Sequence, residues 1–269
     1  MYRTAIAAGV ALAAALSATA LASADAASTT HHHHATAKAG SFTVLASVNK
    51  SEPLQGSKVK IKGSVKPAAP GAKVKLQLRY ADQKKWKTVA TDTLSGQSKF
   101  KFKDKVGSVR TRKYRVLKGA GPNRAAGHST SLKVTVFGWR DLTSLNPAAS
   151  SGFSEYDNGV KMNGVAYPNS LRTYYPTYPP GSPNSIDYNL NRACKSFRGV
   201  VGLDDSSQIN GTAQVSMSTD GTPRYTGTFG LTQSAPVSFD VTKVFRLTVS
   251  AVLANGNAAV GTPQALCSF

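Results

Sequence analysis

The chain has little of the chemistry on which catalysis usually draws. Its 269 residues include five histidines, two cysteines and 13 acids against 33 Lys and Arg. Four of the histidines form the run His31 to His34, so His128 is the only one after it. A serine or cysteine nucleophile needs a base within hydrogen-bond reach, so no Ser-His-Asp or Cys-His arrangement can be built within the histidine-free second half. There is no phosphate-binding glycine loop, no dinucleotide-type glycine pattern and no HExxH zinc motif. Neither Cys194 nor Cys267 has a Cys-x-x-Cys or Cys/His neighbour, which excludes the usual zinc spacings. Long apolar runs are missing after Ala22, where nothing approaches the ~18 consecutive apolar residues of a membrane helix. Amphipathic helical patterns are missing too.

An export signal is present at the amino terminus. Arg3 precedes an Ala/Val/Leu/Ile stretch from Ala5 to Ala22, followed by small residues. A positive region, an apolar core and small-residue cleavage options make the pattern of a secretory signal peptide, read here as residues 1–24. The expectation is a secreted protein, extracellular or cell-wall associated, with no transmembrane segment after cleavage. Residues 25–40, DAASTTHHHHATAKAG, are small and polar and are expected to form a flexible leader. In an oxidising compartment, an even cysteine count favours a Cys194–Cys267 disulfide over two buried thiols.

Charge divides the remainder. Residues 41–136 carry 22 Lys and Arg against 4 acids, whereas residues 137–269 carry 9 against 8. Such a step points to two domains with different surfaces. In the first, segments such as KVKIKGSV and KVKLQLRY alternate apolar residues with lysines. Period two puts Val59, Ile61 and Val65, or Val74, Leu76, Leu78 and Tyr80, on one face and the lysines in solvent. About seven such strands with PAAPGA and LSGQ turns predict an antiparallel sandwich over 41–136. The pattern resembles immunoglobulin-like domains, with Tyr114 as a candidate corner tyrosine and Trp86 expected to turn its ring inward. After FGWRDLTSL, lysine gives way to Gly, Ser, Thr, Asn and Tyr. The strand candidates SIDYNL, KSFRGVVGL, AQVSMST, RYTGTF, VSFDVT, FRLTVSAVL and QALCSF predict a jelly-roll β-sandwich of about eight strands over 137–269. Tyr188, Leu190, Val201, Val215, Phe239, Leu247 and Val249 are expected in its core.

The succession of KSFRGVVGLDDSS, a following strand ending in Asp220-Gly221, and APVSFDVT leading into RLTVSAV resembles the NPCBM/NEW2 domain, a family of proposed carbohydrate-binding modules. The resemblance covers Phe137 to Phe269. It implies a galactose-binding-like jelly roll and a carbohydrate as partner. Two stretches depart from the family pattern, PNSLRTYYPTYPP after Tyr167 and GTPQALC at the end. The site residues are therefore taken from this chain's own composition.

Sugars offer hydroxyls to polar side chains and apolar C–H faces to aromatic rings. LRTYYPTYPPGSPN supplies both, making Arg172, Tyr174, Tyr175, Tyr178, Asn184 and Asp187 the candidate carbohydrate-binding residues. Asp204 and Asp205, at the end of a strand, would point to opposite faces and so could not flank one glycosidic bond. They fit an Asx-type turn, the favoured reading, or a structural calcium held with loop carbonyls, or a direct sugar contact. Trp139 is placed at the junction of the halves. The charge of the first half suits an anionic wall polymer by counterion release, with nucleic acid the minor reading because interleaved aromatics are sparse. The function expected is non-catalytic binding of carbohydrate or cell envelope. The alternatives are a protein-interaction module without sugar affinity and, behind it, a glycan-active enzyme.

Overall fold

Alternation of apolar and polar residues carries through almost the whole structure. The computed structural model describes residues 40–156, 158–174 and 183–269, whose regular elements are 21 strands and one 3₁₀ turn at Leu142–Ser144. Among the described residues no helix is long and apolar enough to cross a membrane.

In the first half the strands are β1 (Thr43–Val48), β2 (Lys58–Lys66), β3 (Lys73–Tyr80), β4 (Lys87–Thr93), β5 (Lys99–Lys105), β6 (Thr111–Lys118), β7 (Gly127–His128) and β8 (Leu132–Thr135). They form one sheet of order β1-β2-β5 and a second of order β4-β3-β6-β7, with β8 also paired to β6. The inward residues are those that the period-two pattern selects. Val59, Ile61, Val65, Val74, Leu76 and Tyr114 are buried in one core. Tyr114 donates its hydroxyl to the Asp104 carboxylate of β5, and burial, with that partner second, pushes its phenol well above the ordinary range. Trp86 corrects the expectation for it. It lies just before β4, and its ring packs under Arg115 and Arg79, 4.4 and 5.0 Å from their guanidinium carbons. Arg79 and Arg115 share strand parity with the exposed Lys75 and the half-buried Lys113. The indole therefore covers the outer side of the sheet.

The second half comprises β9 (Gly138–Asp141), β10 (Ala149–Ser151), β11 (Phe153–Tyr156), β12 (Val160–Met162), β13 (Val165–Tyr167), β14 (Ser170–Thr173), β15 (Asn184–Asn189), β16 (Cys194–Leu203), β17 (Thr212–Thr219), β18 (Thr222–Gly230), β19 (Ser234–Asp240), β20 (Arg246–Ala254) and β21 (Ala258–Cys267). A five-stranded sheet of order β10-β15-β20-β17-β18 faces a six-stranded one of order β11-β14-β21-β16-β19, which β9 joins by pairing with β21. The two sheets enclose the core that holds Tyr188, Leu190, Val201, Val215, Leu247 and Val249, while Phe239 is half-buried against it, its ring 5.0 Å from that of Phe197. There are more strands than the eight expected. The additional ones, β9 to β14, run only three or four residues, too short for periodicity to register. Cys194 and Cys267 are paired residues of β16 and β21 and form the disulfide, across a sequence separation of 73. At the junction, the Phe137 N–H donates to Pro53 O at 3.0 Å and its carbonyl accepts from Gln55 at 2.7 Å. Lys195 pairs with Glu52 there, with its ammonium 4.4 Å from the centre of the Phe137 ring.

Candidate functional site

The hairpin β12–β13 forms because Asn163-Gly164 sits between alternating apolar residues. Its two turn residues have φ of 50° and 74°, as a type I′ turn requires at both central positions. The hairpin lies on the outer face of the six-stranded sheet, where Val160, Met162 and Ala259 form a small separate core with Tyr156, Tyr167 and Val200. Close approach demands small residues beneath it: a Cβ on Gly261 would fall 2.5 Å from the Tyr167 ring, and one on Gly202 only 3.0 Å from Met162 Sδ.

Asp204 and Asp205 hold this arrangement. Asp205 Oδ1 and Oδ2 accept the N–H groups of Asn163 and Gly164 at 2.7 and 2.8 Å, so the carboxylate fastens the hairpin turn. Asp204 Oδ1 accepts the Ser206 N–H at 2.8 Å, an Asx turn, while Oδ2 accepts from Arg172 Nε. Arg172 also donates to Ser206 Oγ at 2.8 Å. Every oxygen of the two carboxylates therefore has a protein donor. Among the described residues no group of three or more His, Cys, Asp or Glu is placed to hold a metal ion.

Arg172 points outward from β14 between two tyrosines. Its guanidinium carbon is 4.9 Å from the Tyr174 ring centre and 5.5 Å from that of Tyr156, and the two rings are 6.2 Å apart. Tyr174 is 46% exposed. Its phenol is held above the ordinary range, chiefly by a hydrogen bond with Tyr156 and then by burial. An exposed aromatic face thus stands beside a fixed cation and the polar Ser206. Such a surface can stack on the C–H face of a ring and donate to its hydroxyls.

The other expected site residues do not gather there. Asn184 is buried: it shares strand parity with the core residues Ile186 and Tyr188, and its amide fills the space above Gly152. It is thus corrected from surface ligand to packing residue. Asp187 points outward from β15, in the five-stranded sheet, where it pairs with Arg246 at 3.4 Å. Arg172 belongs to the six-stranded sheet, so the sandwich separates these two. Tyr175 and Tyr178 lie outside the described residues. Tyr156 joins the cluster although the sequence reading passed over it, and the Asn163-Gly164 hairpin signal flanked by VKM and VAY could have pointed to its neighbourhood.

A second concave surface of about 550 Å³ opens on the same sheet, lined by Arg198, Val200, Pro236, Ser238, Thr262 and Gln264. Gln264 Oε1 accepts Arg198 Nε and Nη2 at 2.9 and 2.7 Å, and Gln264 donates to Asp141 at 2.6 Å. Trp139 stacks on Arg198 at 3.9 Å and also lines the cleft at the junction with Leu54 and Phe137.

No curated protein matches the chain. Among solved structures it is similar to the CBM51 of a Clostridium perfringens GH95 protein, determined in complex with methyl-galactose. That match has 15% identity and a TM-score of 0.38, and it covers 47% of this chain and 99% of the other. The family model of the NPCBM/NEW2 domain matches residues 154–260 of this chain.

Proposed function

We propose that this is an exported, non-catalytic binding protein built of a basic immunoglobulin-like module over residues 41–136 and a jelly-roll module over residues 137–269. The second module binds carbohydrate and the first adds electrostatic adhesion to a cell envelope. The observation that carries this reading is the exposed Tyr174 ring beside Tyr156 and the Arg172 guanidinium, on a domain matched by the NPCBM/NEW2 model. The acids of the second half have structural roles. Each one among the described residues already accepts a hydrogen bond from the protein: Asp141, Glu155, Asp187, Asp204, Asp205, Asp220 and Asp240.

The test is a glycan array probed with the full chain and with its Tyr174→Ala variant. Wild type should bind at least one neutral glycan, and the variant should lose most of that signal, because a stacking ring supplies roughly 0.5–1.5 kcal/mol beyond the area it buries. A wild-type chain that binds no glycan would sink the reading. Full binding by the variant would move the site away from Tyr174, with the Arg198 cleft the next surface to mutate.

A further inference from the structure

The positive charge of the first half is arranged as well as abundant. On β2, Lys58, Lys60 and Lys62 alternate with the buried Val59 and Ile61; on β5, Lys101, Lys103 and Lys105 alternate with the buried Phe100 and Phe102. The register sets Lys58 opposite Lys105, Lys60 opposite Lys103 and Lys62 opposite Lys101. All six are exposed on the outer side of the three-stranded sheet. Directly opposed Cβ atoms lie about 5 Å apart, and successive outward residues on a strand about 6.7 Å apart. The result is two parallel rows of ammonium groups roughly 13 Å long.

Like charges directly opposed destabilise a sheet, and a solvated face normally intersperses carboxylates among them. Here none of the four acids of residues 41–136 forms an ion pair with these lysines, although Asp92 sits beside the backbone of Lys101. Glu52 pairs with Lys195, Asp82 with Arg110, and Asp104 with the Tyr114 hydroxyl. Asp92 accepts the backbone N–H groups of Thr93 and Lys101 at 2.8 and 2.9 Å. None of the six lysines forms an ion pair among the described residues. The outward residues of the adjoining β1 are Thr43, Leu45 and Ser47, and at one end of the rows Phe137 and Trp139 line a cleft with Lys105.

We propose that this face docks a linear anionic polysaccharide lying along the strands, with its carboxylates over the two lysine rows. The inference rests on the reading of the first half as an electrostatic adhesion module and names its ligand class. Nucleic acid fits less well. The outward residues of β2 and β5 interleave no ring among the lysines for successive bases to stack on, and they are lysine point charges rather than the arginine forks suited to bidentate phosphate recognition. A linear polysaccharide can follow the two lysine rows without needing either.

The experiment measures binding of the full chain to immobilised polygalacturonate at about 0.1 M salt, where charges beyond about 10 Å are screened. The array variant carries Lys60→Gln, Lys62→Gln, Lys101→Gln and Lys103→Gln. The control carries Lys73→Gln, Lys75→Gln, Lys84→Gln and Lys85→Gln, the same change in charge placed elsewhere. Four exposed charge contacts in the middle of their usual range predict roughly thirtyfold weaker binding for the array variant, and the control should stay within about threefold. The array variant should also show a shallower salt dependence. Its melting temperature should equal or exceed wild type, because repulsion is removed. Equal weakening of both variants, no binding of polygalacturonate by wild type, or tighter binding of duplex DNA than of polygalacturonate would overturn the proposal. The array variant should keep neutral-glycan binding and Tyr174→Ala should keep polygalacturonate binding, so each half's reading can fail alone.

Discussion

Replacing Asp204 by alanine asks whether the acidic pair is a structural clamp. In the folded chain this carboxylate faces Arg172 Nε on one oxygen and the Ser206 N–H on the other. The pair is nearly dry, with side chains 12% exposed for Arg172 and 10% for Asp204. Alanine would leave the guanidinium, among the described residues, with Ser206 Oγ at 2.8 Å and the neighbouring Tyr174 side chain. Breaking a buried pair from one side costs about 3–5 kcal/mol. The Tyr156 and Tyr174 faces still attract the cation, which places the expected loss near the lower end, about 3 kcal/mol. For residues 137–269 that corresponds to a drop of about 10 °C in melting temperature. Adding Arg172→Met removes the stranded charge and should restore more than half of the loss. The assay is scanning calorimetry of the full chain, wild type beside both variants, with calcium and with a chelator. A calcium site would stabilise wild type by about 2.7 kcal/mol at a hundred times its dissociation constant. The expected calcium shift is nil, because all four carboxylate oxygens already have donors. A loss below about 1 kcal/mol, or a calcium-dependent rise that the alanine variant abolishes, would refute the clamp.

Two further outcomes follow from the same half. Cys194→Ser with Cys267→Ser opens a loop spanning a sequence separation of 73, so the chain-entropy model predicts a loss of about 4 kcal/mol, measurable by denaturant titration in the absence of reductant. Asp220 accepts the N–H groups of Arg246 and Phe245, and these bonds, Arg246 first, hold its carboxyl below the ordinary range. A carboxylate depressed in the folded state contributes stability above its unfolded pKa of about 3.9 and loses it as pH falls through the lower folded value. Melting temperature should therefore fall between about pH 5 and about pH 2, and Asp220→Asn should show a smaller fall. Identical pH profiles would remove Asp220 from the explanation.

Period-two patterning made most of the fold legible. It selects the buried Val59, Ile61, Val74 and Leu76 in the first half, and Tyr188, Val201, Val215, Leu247 and Val249 in the second. The same rule could have corrected the site. Asn184 has the parity of Ile186 and Tyr188, so the reading that buries those two must bury it as well. Trp86 escaped because it precedes β4 rather than lying in it, so strand parity does not govern its ring. Asp187 and Arg172 could not have been separated by pattern, because both point outward and only sheet membership places them apart.

The acidic pair shows where local reading stops. Period two placed Asp204 and Asp205 on opposite faces of a strand, but both follow β16 in a turn and both reach toward β12–β14, one clamping Arg172 and the other a hairpin turn. What it could not supply is the partner. Asp205 reaches Asn163 across 42 residues, and Asp204 reaches Arg172 across 32. The Asp205 contact exists because β12–β13 folds down over the small residues Gly202, Ala259 and Gly261, and the Asp204 contact because β14 pairs with β21 beside β16. The Asn-Gly turn is a local signal, but the surface that receives it is assembled from β16 and β21, which are distant in sequence and joined by the disulfide. The exposed Tyr174 ring is therefore positioned through contacts that no single segment encodes. A substitution at Gly202 or Gly261 should disturb glycan binding without touching a glycan-facing side chain.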